Sequence, residues 1–168
     1  MTVLDWGPFS HIRRNHALEH ATLQVLANRN STYRMAGYSD ANGFWMMGDV
    51  PTEEVQAAVS EALQRLEGGE HSLAIHPNCG TNFVAAGMLA GTLAWVAMLG
   101  SEGGWRRRLE RWPILVSLVT LGMILAQPLG PMLQERVTTS PDPRGMRVTS
   151  IQREQRGSMP VHRILTQD

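Results

Sequence analysis

Two uncharged apolar runs dominate the hydrophobic pattern of the chain. Residues 82–101 hold twenty consecutive positions without a charge and residues 113–134 hold twenty-two; as helices, each is long enough to cross about 30 Å of hydrocarbon. Neither run has a polar face, so both are expected to be transmembrane helices rather than buried helices of a soluble bundle. Between them Arg106, Arg107, Arg108 and Arg111 stand against Glu102 and Glu110, with Trp105 and Trp112 as interfacial anchors. Gln127-Pro128 and Gly130-Pro131 predict a kink or an irregular last turn in the second span, because proline withholds a backbone donor.

Ahead of the runs the pattern is that of a small α+β unit. Ser10 to Asn28 are good helix formers, with Ser10 as the N-cap and Asn28-Arg29-Asn30-Ser31 as a polar stop. On a helical wheel Ile12, His16, Glu19, Leu23 and Leu26 share one broad face, with His20 at its edge, and that face is expected to meet the core. Residues 32–38 and 43–50, separated by a turn ending in Asn42-Gly43, predict a β-hairpin. Pro51-Thr52-Glu53-Glu54 starts a second helix, whose apolar positions recur at helical spacing as far as Leu66. Gly68-Gly69 ends it, and Ser72-Leu73-Ala74-Ile75 reads as a strand that pairs with the hairpin.

Beyond the second run, Thr138 to Pro143 is a linker by composition, and 146–152 and 159–166 alternate around Gln155-Arg156-Gly157-Ser158. A terminal β-hairpin that returns to the N-terminal sheet is one expectation, and a basic tail lying on anionic lipid is the other. The expected fold class is therefore α+β, in three parts. Residues 1–80 form the helix, hairpin, helix and strand unit, 81–135 the transmembrane hairpin, and 136–168 the linker and tail.

Charge and cysteine content narrow the function. Fifteen basic residues, all arginine, balance fifteen acidic ones, so no global field points to nucleic acid or an acidic substrate. With a single cysteine, Cys79, an intramolecular disulfide framework is excluded, which leaves a packed thiol, a ligand, a nucleophile or an intermolecular link. Residues 1–10 lack the basic and apolar regions of a cleavable signal. The N-terminal unit and the C-terminal Arg136, Arg144 and Arg147 favour cytoplasmic termini, whereas the Arg-rich loop by itself favours the reverse orientation. The expected location is a bacterial inner membrane, crossed more than once. Gly87-x-x-x-Gly91 in the first run gives a small-residue stripe suited to a helix partner or to a second copy of the chain.

The chemistry gathers in two stretches. His16-x-x-Glu19-His20 stacks two imidazoles one above the other on a helix with a carboxylate between them, an arrangement that two ligands of one metal and a general base require. His76-Pro77-Asn78-Cys79, just before the first apolar run, supplies further ligand types, and Glu70 an acidic one. A third ligand decides between metal binding and ordinary hydrogen bonding on a helix, and the use of both His76 and Cys79 would close the coordination sphere. Cys79 at the start of an apolar helix, with His16, His20 or His76 as base, also fits a nucleophile.

The H-x-x-E-H order resembles the inverzincin metallopeptidase motif. That resemblance implies zinc bound by His16 and His20, Glu19 as general base, and an acidic third ligand for which Glu70 is available. Asn78-Cys79 followed by Phe83-Val84 is similar to membrane-tethered thiol acyltransferases, and implies Cys79 as a nucleophile. The run from Asn15 to Thr22, the run from Gly69 to Asn82 and the apolar span that follows look like an uncharacterised bacterial membrane-protein family, over roughly residues 12 to 130. That likeness implies membrane location and no established activity. The expected function is an integral membrane protein with a zinc site, hydrolytic through Glu19. A non-catalytic membrane subunit with a structural polar cluster and a cysteine-dependent acyl transferase are the alternatives.

Overall fold

The computed structural model describes residues 4, 6–100 and 104–167; Ser101 and Glu102, assigned above to the first span and its loop, lie outside them. The chain divides into two units, Met1–His76 with Gln134–Asp168, and Pro77–Leu133.

The first unit is built around α1, Gly7–Arg29, which begins three residues earlier than Ser10 because Gly7 and Pro8 supply the first turn. Asn30 closes it, its N–H bonding to the Leu26 carbonyl at 2.9 Å while its side chain accepts from Thr32. The core face of α1 is not the one that the wheel gives. Ala17, Leu18, Ala21, Val25 and Leu26 are fully buried, whereas Ile12 is exposed and Leu23 only partly covered. The helix is enclosed on several sides, by α2 (Thr52–Glu67), by the strands and by the segments that follow His71 and Gln134. Polar residues are therefore buried on the flank that the wheel takes for the core side.

The strands β1 (Ala36–Asp40), β2 (Gly43–Met47), β3 (Arg147–Arg156) and β4 (Met159–Gln167) form one antiparallel sheet in the order β1-β2-β4-β3. Both expected hairpins are present, the first with its leading strand at 36–40 instead of 32–38, and the second does return to the first. Met47 pairs with Val161 and Gly43 with Leu165, so the last strand lies inside the sheet. Phe44, Met46 and Ile164 point into the core under the helices. On the other face Trp45 is sandwiched by Arg156 and Arg163, at 4.0 and 4.8 Å from its ring centroid.

The strand expected at Ser72–Ile75 is instead a short 3₁₀ helix, His71–Ala74. β4 occupies one edge of the hairpin, at β2, and this segment does not take the other, at β1. Its carbonyls turn to α1: Gln24 Nε2 donates to Leu73 O at 2.8 Å and Ile75 O at 3.0 Å.

In the second unit α3, Gly80–Met98, and α5, Trp112–Leu133, pack side by side, with the short α4, Trp105–Glu110, between them in the chain. Gly122 is the point of close approach, since a Cβ there would press on the backbone of Ala90 and the side chain of Leu93. Arg111 donates to the Ala97, Leu99 and Gly100 carbonyls at the end of α3. Gly87 and Gly91 meet nothing within 4 Å and lie on an open side of α3. Helical geometry persists through Pro128 and Pro131 as far as Leu133, further than the prolines suggest. The irregular turn follows as a π-helix at Gln134–Thr138, closed by the Thr139 N–H on the Gln134 carbonyl at 2.9 Å.

Candidate metal centre

Spacing of four residues places His16 and His20 on adjacent turns of α1, their ring centroids 4.2 Å apart. Each imidazole is fixed by a backbone carbonyl. His20 Nδ1 lies 2.7 Å from the Ala74 carbonyl, and His16 Nδ1 lies 3.0 Å from the Thr138 carbonyl. A carbonyl only accepts, so both rings carry their hydrogen on Nδ1 and keep the lone pair on Nε2. Metal-binding histidines use this arrangement, in which a second group sets the tautomer and orients the ring.

The carbonyls are themselves held in place. Gln24, one turn after His20, brackets Ala74 through its bonds to Leu73 and Ile75. Gln134, fully buried, pairs with the backbone of His76 in both directions, accepting from its N–H at 2.8 Å and donating to its carbonyl at 3.1 Å. Thr139 returns to the Gln134 carbonyl through its hydroxyl at 2.9 Å, and Arg13 reaches the Thr139 carbonyl at 2.9 Å.

His76 stands with its ring 5.5 Å from that of His20. Two imidazoles on adjacent turns of one helix could serve as two ligands of one metal ion, and Cys79, which belongs to the second unit, is the sulfur ligand that the sequence offers. Cys79 is buried, precedes the first turn of α3 and has the Thr81 hydroxyl 3.4 Å from its sulfur. In this contact the thiol donates to the hydroxyl oxygen.

The other residues proposed from the sequence are placed differently. Glu19 is buried and its carboxylate accepts a hydrogen bond from the Ser39 hydroxyl of β1. It fills the space above Gly37, where any Cβ would overlap the carboxylate. Glu70 is exposed and paired with Arg65, whose Nε and guanidinium NH₂ approach its two oxygens at 2.7 and 2.6 Å. That pairing holds the Glu70 carboxyl below the usual carboxylate range. Gln24, Gln134 and Thr138 escape sequence reasoning. Only the uncharged Gln134 at the very end of an apolar run gives a visible signal.

Taken with the fold, these residues define a class: an α+β protein with a pair of adjacent, carbonyl-fixed histidines and two helices long and apolar enough to cross a membrane. Residues 11–151 match the family described as a domain of unknown function, DUF6391, and the chain belongs to that family. It is 35% identical over 141 residues to an uncharacterized protein of Picosynechococcus sp., an alignment covering 77% of this chain. The matched region spans 66% of that relative's length. No solved structure matches the chain.

Proposed function

We propose that the protein is integral to a membrane and binds zinc through His16, His20 and Cys79. The adjacent imidazoles of His16 and His20, each with its tautomer fixed by a backbone carbonyl, carry the zinc reading, and Cys79 is the third ligand that the sequence offers. Two imidazoles and a thiolate suit zinc in charge and softness. The membrane reading draws on helices α3 and α5. In their most apolar stretches only 11% and 17% of residues are buried, whereas the core helix of a soluble protein would be mostly covered. Phe83, Met88, Trp95, Ile114 and Met123 are exposed along them, a surface for lipid. The bacterial inner membrane is the proposed location. A helix partner or second copy at the open Gly87/Gly91 side belongs to the same proposal.

Three protein ligands leave a fourth position, to which zinc would supply Lewis-acid chemistry for a bound water. We assign the protein to the metal-dependent hydrolases on that basis, with Glu19 as the base that the H-x-x-E-H resemblance implies. A second reading adds His76, whose ring lies 5.5 Å from that of His20, as a fourth ligand, which would make the zinc structural.

Metal analysis of detergent-purified protein tests the site. One zinc per chain is expected in the wild type and in His71→Ala, and loss of the ion in His20→Ala and in Cys79→Ser. Full metal in both of the latter variants would dispose of the site. Cobalt substitution separates the two readings. A shift of the visible spectrum on adding azide signals an open position, whereas a spectrum that responds to azide only in His76→Ala signals a closed one. Hydrolysis of nitrophenyl esters that survives unchanged in Glu19→Gln would remove the catalytic role of Glu19.

A further inference from the structure

Within the two-helix unit, α3 and α5 border a cleft of about 650 Å³, a size within the range of about 300 to 1,000 Å³ typical of small-molecule sites. Its walls are mostly apolar, with Phe83 and Ala86 on one side and Met123 and Ile124 on the other. Its polar members are Thr120, Asn82, whose amide donates to the Pro77 carbonyl at 2.6 Å, and Gln127. The Gln127 amide lies in an uncharged run, is exposed, and takes part in no side-chain hydrogen bond among the described residues.

Two prolines accentuate the polarity at that point. Pro128 and Pro131 lack the amide hydrogens that the Ile124 and Gln127 carbonyls would receive in an unbroken helix. One turn of α5 therefore presents a side-chain amide and two carbonyls deprived of their usual donors. In hydrocarbon such groups are costly unless a partner satisfies them, and polar residues at membrane depth mark ligand paths.

We infer that this cleft binds a single-chain lipid with an ester or hydroxyl headgroup. The headgroup exchanges hydrogen bonds with Gln127 and the Ile124 carbonyl, and the hydrocarbon chain lies along Phe83, Ala86 and Met123. A helix about 10 Å across fills roughly 420 Å³ per turn, so the cleft has room for about one and a half turns, too few to seat a second span. A flexible chain fits the same space. The inference rests on α3 and α5 being membrane helices and is independent of the metal.

The test uses the full chain in phosphatidylcholine nanodiscs and a monoacylglycerol with a diazirine on its acyl chain. After irradiation, peptide mapping should place the adducts in residues 82–86 and 120–127, and unlabelled monoacylglycerol should compete. Gln127→Leu should lower labelling about fivefold, the factor that one lost hydrogen bond carries. Ala86→Trp and Met123→Trp, each of which fills the cleft, should abolish it, while Val84→Trp, on the outer side of α3, should leave it unchanged.

Adducts spread evenly over Val84, Met88 and Trp95 would overturn the proposal, as would equal labelling in Gln127→Leu and both cleft-filling variants. A loss of oligomers in Gln127→Leu with labelling intact would assign the amide to a helix contact instead. Release of the wild type from membranes by alkaline carbonate would refute the membrane reading itself, without recourse to the lipid probe.

Discussion

Replacing Gln134 by leucine removes the amide that holds His76 while keeping the volume of a fully buried side chain. Two hydrogen bonds vanish together, at 2.8 and 3.1 Å, and the His76 N–H and carbonyl lose these partners in a half-buried setting. Leaving a buried polar group unsatisfied costs about 1 to 3 kcal/mol, and partial access to water favours the lower end. The expected loss is thus about 2 kcal/mol for the pair, or roughly 4 to 8 °C in melting temperature for a chain of this size. Gln134→Glu keeps the acceptor for the His76 N–H but buries a carboxylate against its carbonyl, and should fall at least as far. Thermal unfolding of the three proteins in the same detergent, with metal chelated throughout, isolates the fold from the site. A Gln134→Leu melting temperature within 1 °C of the wild type would refute the reasoning. With metal present, the same variant should bind zinc about 10 to 100 times more weakly, the usual effect of loosening an outer support.

Three further outcomes follow from the packing and the charges. Gly37→Ala drives a Cβ into the Glu19 carboxylate and should destabilise the fold by about 1 to 3 kcal/mol; in a double-mutant cycle, Glu19→Ala should relieve most of that loss. Gly122→Val should weaken the α3–α5 pair in denaturant titrations, whereas Gly87→Val, which meets open space, should not. His162 is buried, with its Nε2 3.2 Å from the Thr52 hydroxyl, and burial first, then the Arg153 charge, push its pKa below the ordinary value, against the pull of Asp49. The unfolded chain then takes up the proton more readily than the folded one, so stability is full above about pH 6.5 and declines as pH falls below it. His162→Asn should flatten that decline in unfolding midpoints measured from pH 8 to pH 5.

Much of this architecture is legible in the sequence wherever a segment carries its own signal. Asn42-Gly43 and the alternation on either side declare the first hairpin, and the two uncharged runs declare α3 and α5. Legibility fails where burial is not one-sided. α1 is surrounded, so apolar residues lie on one flank and satisfied polar residues on the other, and a wheel that seeks a single stripe chooses the wrong centre. Ser72 to Ile75 have strand composition, but their carbonyls are taken by His20 and Gln24 of α1, a competition that only the assembled unit reveals. Of the proposed ligands, the i, i+4 histidines and the one cysteine can be read directly. Their supports cannot, because the acceptors on Ala74 and Thr138 are backbone carbonyls, which every residue possesses.

The position of β4 bears on how the protein is made. Trp45 on β2 pairs with Arg163 on β4, and both apolar helices are synthesised between the two. At ~5–20 residues per second, the edge of β2 stays open for roughly 6 to 24 s while the ribosome completes the rest of the chain. During that time a bare strand edge and the apolar residues Phe44 and Met46 are available to any neighbouring chain. The first unit thus becomes whole only when β4 has emerged, and a product truncated before Arg147 has an unfinished sheet, a natural substrate for aggregation or proteolytic clearance.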